Sequence, residues 1–494
     1  MIAVEPPVDA AGAPIFGQPR GLATLFLTEM WERFSYYGMR SVLILYAVAA
    51  VSRGGFGMDD RVASAVYGLY IAGTYVFAPI GGWIADRLLG AQRAVIAGGI
   101  LILCGNATLL LGRMHPFFVG LAVIVLGVGL LKPNISVMVA ELYPEGDARR
   151  DAGFSVFYVG ISVGALLGSL LVPLCAARFG WRWGFSLPVV GMLLGLGQFL
   201  ATRRWLGHRG RTVHGRGGRR AWLGVALLAA AIATIIALAA GGWVRLDPVR
   251  LAAAASWVIV LFVGAYFLYL LLFAGLTPQE RRRLYVMGAL FAAYAAFFAG
   301  FEQAGASLNL FAERYTNRTL LGWSMPAGVL QGATAFYTIL FAPVFAALWI
   351  ALGRRGKDPA PTAKFSIGLV LLALGYLVMY FASRYVVVGE KVLPTWLLLS
   401  YLLQECGDLC LSPVGLSAMT KLAPSRFVGQ VMGLWFLALA LGDNLAGQLS
   451  GEYDTRNLLT LPALFSKIFW WALIAAAIML LITPIAKRLT RAPR

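Results

Sequence analysis

Charge is scarce in this chain, and acids are scarcer than bases. Only 13% of its 494 residues are Asp, Glu, Lys or Arg, about half the share found in an average soluble protein. There are three histidines and four cysteines. His115, His208 and His214 all fall in loops, and no nucleophile–base pair or metal-ligand spacing is present, so nothing supports a membrane-embedded enzyme or a metal cofactor. Cys104, Cys175, Cys406 and Cys410 lie in apolar segments and read as small buried residues, which excludes a disulfide scaffold. Residues 1–20 have no basic leader and contain Glu5, Asp9 and several prolines, so no cleavable signal peptide is expected and the first apolar segment must act as the insertion signal. What is abundant is apolar surface. Hydrophobic residues make up 60% of the chain, against about 45–50% in soluble proteins, and the mean hydropathy is +0.77. The apolar residues come in blocks of about 20, the length that crosses a bilayer as a helix. The chain is expected to be an all-α, multi-pass membrane protein.

The formal charge of +19 does not indicate nucleic acid as a partner. Most Lys and Arg sit in short loops between spans, the pattern that keeps such loops in the cytoplasm. Fourteen apolar segments can be counted. Isolated cations such as Arg53, Arg113 and Arg178 mark one set of loops. The other set holds Arg203, Arg204, Arg209, Arg211, Arg216, Arg219 and Arg220, then Arg281–Arg283, then Arg354, Arg355 and Lys357; Lys487, Arg488, Arg491 and Arg494 close the chain. Both termini are therefore expected to be cytoplasmic. The predicted organisation is a tail over 1–20, a six-helix bundle over 21–202, an Arg-rich linker over 203–220, an inserted helical hairpin over 221–280, a second six-helix bundle over 281–486 and a tail over 487–494. Paired bundles of this kind hold their solute near the bilayer midplane, between the halves.

Ionisable groups inside spans are the informative residues, because each costs about 2.5–3.5 kcal/mol at the bilayer centre on insertion scales. Glu29, Arg33, Tyr36 and Arg40 are spaced by four, three and four, so they share one face of the first helix, flanked by Glu32 and Tyr37. Lys132 lies in a Gly-rich apolar segment, Glu302 in the seventh bundle helix, Glu405 and Asp408 three apart on one segment, and Asp443 in the segment after it. The interior acids outnumber the interior bases, so at least one carboxyl is expected to carry a proton at some stage, as in proton relays. For Glu405 and Asp443 a plain hydrogen bond to a neighbouring helix is an equally good reading.

These residues form motifs. Glu29-x-x-Glu32-Arg33-Phe34-x-Tyr36-Tyr37-Gly38 resembles the first-helix signature of the proton-dependent oligopeptide transporters, a branch of the major facilitator superfamily. Gly81–Arg87 is similar to the superfamily's loop between its second and third helices. Lys132–Ser136, Phe157–Gly164, Glu302–Ser307, Leu411–Ser417 and Gly433–Phe436 extend the resemblance over nearly the whole chain, and bacterial members carry two extra helices where residues 221–274 stand. The resemblance implies a major facilitator fold of two six-helix bundles plus the hairpin, fourteen transmembrane helices in all. It implies proton-coupled uptake of di- and tripeptides by alternating access, with the proton as coupling ion, no cofactor, a monomer and a bacterial inner membrane.

It also implies roles. Arg33 and Lys132 resemble the groups near the peptide carboxylate, where Arg can make paired hydrogen bonds and Lys supplies a point charge. Tyr36, Tyr37, Tyr75, Tyr158, Gln303 and Trp435 resemble the lining that accepts varied side chains. Glu29, Glu32, Arg33, Arg40 and Glu302 match the proton-coupling set, with Glu302 expected to exchange with Arg40, and Lys132 with Asp408. Three positions depart from the pattern. Ser162 and Thr334 stand where the family commonly has Asn, and Asp408 where it commonly has Glu; all three belong to the end that holds the peptide's amino group. An altered cargo on the same scaffold, such as a peptide conjugate, a modified amino acid or an anion, is the alternative these changes raise. A non-transporting receptor is disfavoured by the complete set of relay residues.

Overall fold

Two of the helices begin where the sequence supplies both proline and a capping oxygen. Thr277 and Glu280 form a reciprocal capping box ahead of Pro278, with the Thr277 N–H donating to Glu280 at 2.8 Å. Asp247 accepts from the N–H of Val249 at 2.9 Å just before Pro248. Each motif satisfies backbone donors that a helix start leaves open.

The computed structural model describes residues 17–144, 147, 149–211, 213, 218–240, 243, 247–320, 322–453 and 457–490. Parts of the expected tails and linker, with His214, Arg216, Arg491 and Arg494, lie outside the described residues. Counting two interrupted helices once each, fourteen α-helices are described: α1 (Arg20–Val48), α2 (Asp60–Leu89), α3 (Ala91–Leu109), α4 (Met114–Glu141), α5 (Arg149–Phe179), α6 (Trp181–Thr202), α7 (Arg219–Ala240), α8 (Pro248–Phe273), α9 (Pro278–Tyr315), α10 (Ala327–Arg354), α11 (Pro361–Val387), α12 (Pro394–Leu422), α13 (Val428–Ser450) and α14 (Thr460–Thr490). A two-residue β-hairpin pairs Thr319 with Ser324 between α9 and α10. Eleven helices are long and apolar enough to cross a membrane. The other three are α7, whose apolar stretch is short, and α1 and α12, which carry the buried charges.

By packing, the described chain forms two units, one within Met1–Arg40 and Val76–Leu246, the other within Ser41–Tyr75 and Asp247–Arg494. This division cuts α1 after Arg40 and assigns α7 to the first unit and α8 to the second, whereas the sequence suggested a break in the linker and a separate hairpin. The reasons are polar contacts across long sequence separations. In the second unit Arg314 makes two hydrogen bonds to Asp60, at 2.6 and 2.7 Å, and Asn309 donates to the Ser41 carbonyl at 3.0 Å. The Arg314 guanidinium also lies 5.5 Å from the ring of Tyr453. Burial keeps the Tyr453 hydroxyl protonated well beyond the ordinary tyrosine range. The amides of Asn444 and Gln448 on α13 each donate to Ser256 on α8 at 2.8 Å. Such bonds hold where helix packing in lipid lacks a hydrophobic drive.

In the first unit, α2 and α4 approach so closely that a Cβ on Gly81 would lie 1.9 Å from the Gly129 carbonyl oxygen. Pro133 cannot donate to the helical ladder. Asn134 next to it donates to the Leu130 carbonyl at 2.7 Å and to the Gly81 carbonyl at 3.3 Å. The Lys132–Pro133–Asn134 motif thus sets a gap in the helical ladder beside the α2–α4 clamp, and Lys132 stands next to it.

Candidate substrate and proton-binding site

In the first unit the site is built on α1. Glu29, Glu32 and Arg33 are each at most 3% exposed. The Arg33 Nε lies 3.2 Å from Glu29 and donates to Glu32. One cation therefore faces two carboxylates, and Lys132 on α4 lies within electrostatic reach of Glu29. The aromatic hydroxyls join this array through their rings: Arg33 lies 4.9 Å from the ring centroid of Tyr36, Arg40 lies 5.5 Å from that of Tyr37, and the two rings meet edge to face at 5.2 Å. Cation–π contacts of this kind strengthen out of water.

The array is reached by α5 through glycines. A Cβ on Gly164 would sit 2.1 Å from the Met30 carbonyl oxygen, and one on Gly168 2.3 Å from that of Phe34. Only hydrogen fits there, and the two backbones meet as small-residue helix pairs do in membranes. This contact explains Gly164, the last residue of the Phe157–Gly164 motif. On α5 Ser162 is buried and donates to the Tyr158 carbonyl at 3.3 Å, while Tyr158 itself is 45% exposed.

The second unit is built differently. Glu302 on α9 and Glu405 and Asp408 on α12 are each held by a hydroxyl. Glu302 sits where α9 breaks into a tight turn over Glu302–Gly305. Tyr67 donates to its carboxylate at 3.3 Å. Backbone groups freed by the break find partners nearby: Tyr376 donates to the Gly300 carbonyl at 2.6 Å. Gln303 is fully buried, donates to the Ala446 carbonyl at 2.9 Å and accepts from Ser307 at 2.6 Å. The structure thus places Gln303 as a brace of the break, with its polar atoms engaged internally.

On α12, Asp408 is half-buried and accepts from Ser412, which lies 3.0 Å from the Tyr294 hydroxyl. Glu405, 3% exposed, accepts from Thr338 on α10. Thr334, one turn before Thr338, donates to the Gln331 carbonyl at 2.9 Å, leaving its oxygen lone pairs as acceptors. Trp435 is 1% exposed and stacks on Tyr294 at 3.9 Å, Tyr75 stacks on Phe436 at 6.4 Å, and Asp443 is fully buried on α13.

Each unit therefore gathers its own share of the expected residues: Glu29, Glu32, Arg33, Tyr36, Tyr37 and Arg40 around α1, with Lys132, Tyr158 and Ser162 on α4 and α5, and the remaining acids and hydroxyls in the second unit. Sequence reasoning missed Tyr67, Tyr294, Thr338 and Ser412. Thr338 carried a signal, since it stands four residues after Thr334 on the same helix face. The two tyrosines carried none that separates a buried hydroxyl from the many aromatics facing lipid.

Known proteins resemble this chain over most of its length. A family model described as the POT family matches residues 92–459. Over 493 residues the chain is 42% identical to the peptide transporter YePEPT of Yersinia enterocolitica, spanning 96% of each protein. It is 36% identical to a di-/tripeptide transporter of Lactococcus lactis, spanning 88% of this chain and 90% of that one. A crystal structure of a peptide transporter POT in complex with sulfate matches with a TM-score of 0.91 at 40% identity, covering 98% of this chain and 99% of that one. With its fourteen helices, its motifs and these matches, the chain belongs to the POT family and has the fold of the major facilitator superfamily.

Proposed function

We infer that this protein is a secondary active transporter that carries di- and tripeptides into the cytoplasm together with protons, by alternating access. The observation that carries the reading is the buried Glu29–Glu32–Arg33 array with Lys132 beside it. A short peptide is a zwitterion. Its carboxylate needs cations, which the first unit supplies as Arg33 and Lys132, and its ammonium needs acceptors, which the second unit supplies as Asp408 and the hydroxyl oxygens of α10. The tyrosines and Trp435 offer rings that accept side chains of many shapes.

The chain acts as a carrier rather than an enzyme, uses the proton as its coupling ion without a cofactor, and works as a monomer in the bacterial inner membrane with both termini in the cytoplasm. The coupling groups are Glu29, Glu32, Arg33, Arg40 and Glu302. Protonated, Glu302 loses its attraction for a cation such as Arg40, and the turn at Glu302–Gly305 is free to repack. Glu302→Gln mimics that neutral state permanently, so it abolishes gradient-driven accumulation and retains exchange of peptide for peptide. Liposome uptake of dialanine, with and without an acid-outside gradient, tests the whole reading. Accumulation only with the gradient, and competition by free-amino but not acetylated dipeptides, is expected. Uptake indifferent to both would overturn it.

A further inference from the structure

Two carboxylates stand three residues apart on α12, about 4.5 Å along its axis, and their surroundings call for opposite protonation states. Asp408 ends a chain of donors. Ser412 donates to it, and Tyr294, 3.0 Å from Ser412, is placed to donate to that serine in turn. Every proton in the chain points toward the acid, which suits a carboxylate.

Glu405 faces a hydroxyl with a prior commitment. The Thr338 oxygen is in hydrogen-bond contact with Glu405 and also lies 3.0 Å from the Thr334 carbonyl oxygen of its own helix. A hydroxyl has one proton. When Glu405 is ionised, two acceptors compete for it. When Glu405 is protonated, its O–H donates to the Thr338 oxygen and Thr338 donates to the Thr334 carbonyl, so both contacts are made at once. Two neighbouring acids whose surroundings drive them apart in this way divide the labour of charge and proton.

We propose that Glu405, with Thr338, is a further proton-carrying group of the transport cycle, distinct from Asp408, which serves as the fixed anion. The step balances simply: the carboxylate takes one proton from the water on the acidic side, Thr338 turns its own proton back to Thr334, and the reverse sequence releases the proton. The other titratable groups on the middle turns of the helices packed against α12 are Tyr294 and Glu302 on α9, Tyr337 on α10, Tyr376 on α11 and Asp443 on α13, with Lys364 in the first turn of α11. On α12 itself they are Tyr401, Cys406, Asp408 and Cys410. Lys364 is engaged with Asp358 at 2.7 Å. Glu302 and Asp408 act on each other electrostatically, so their variants serve as controls.

The proposal rests on proton-coupled peptide transport, and the experiment separates the two. In liposomes, dialanine uptake is followed over a series of external pH values, and the proton-to-peptide ratio is obtained from the gradient that just stops net flux. Wild type without acid-driven uptake would sink the transport reading itself. With wild type active, Glu405→Gln keeps the acceptor for Thr338 and is expected to exchange dialanine as wild type does, with acid stimulation flattened and fewer protons carried per peptide. Asp408→Asn is expected to weaken dialanine binding with the ratio unchanged. Thr338→Val should move the pH profile and Thr338→Ser restore it, a pair that decides the matter if Glu405→Gln does not fold. A wild-type profile and ratio in Glu405→Gln, or in Thr338→Val should the first fail to fold, would show that the contact only fastens α12 to α10.

Discussion

The two units solve one problem, keeping charge inside a membrane, in opposite ways. The first unit pairs charges along a single helix: Arg33 with Glu29 and Glu32, four and one residues away. The second unit places its acids on α9 and α12 and gives each a hydroxyl: Tyr67 on α2 for Glu302 and Thr338 on α10 for Glu405, both from other helices, and Ser412 of the same helix, backed by Tyr294, for Asp408. A salt bridge inside one helix stays together when that helix moves. A hydrogen bond between helices is remade or broken when they move. The first arrangement, like the Asp408–Ser412 contact within α12, keeps its partners through a cycle, and the interhelix contacts of Glu302 and Glu405 suit groups whose partners change.

Removing the shared cation tests that contrast most severely. Arg33→Met strands two buried carboxylates, for which losses of about 3–5 kcal/mol are typical. Thermal unfolding in detergent should show that loss, and uptake should vanish; a variant of wild-type stability would mean that the acids carry no charge. Next comes the α1–α5 contact. Gly164→Val places a side chain against the Met30 carbonyl oxygen, and overpacking of this kind costs about 1–3 kcal/mol. Its unfolding midpoint should fall, with binding falling in step because the array on α1 is displaced; an unchanged midpoint would show that the helices can part freely. The smallest effect lies in the second unit. Tyr294→Phe removes one hydroxyl from the chain ending at Asp408, worth about 1 kcal/mol, or about fivefold in the Kd of a free-amino dipeptide. Acetylated dipeptides should bind the variant and wild type alike. Equal weakening of both would move Tyr294 from the ammonium end to general packing.

Reading the residues in order was most successful where a helix enforces proximity. Arg33 lies near Glu29 because four residues make about one turn. The same reasoning placed Gln303 in the substrate lining because it follows Glu302 in a motif. The structure instead turns it inward to brace the break in α9. A motif specifies which residues occur together, and the fold specifies which way they face.

The apolar block lengths alone settled that this is a helical membrane protein, since lipid offers backbone groups no other partner. Helical periodicity alone put Arg33 on the same face as Glu29. Only the tertiary structure decided where α9 breaks, that α8 docks on α13, and which hydroxyls reach Glu302 and Glu405. Those outcomes hang on contacts between residues tens to hundreds of positions apart. Helix geometry says nothing about such pairs until the faces that pack together are known.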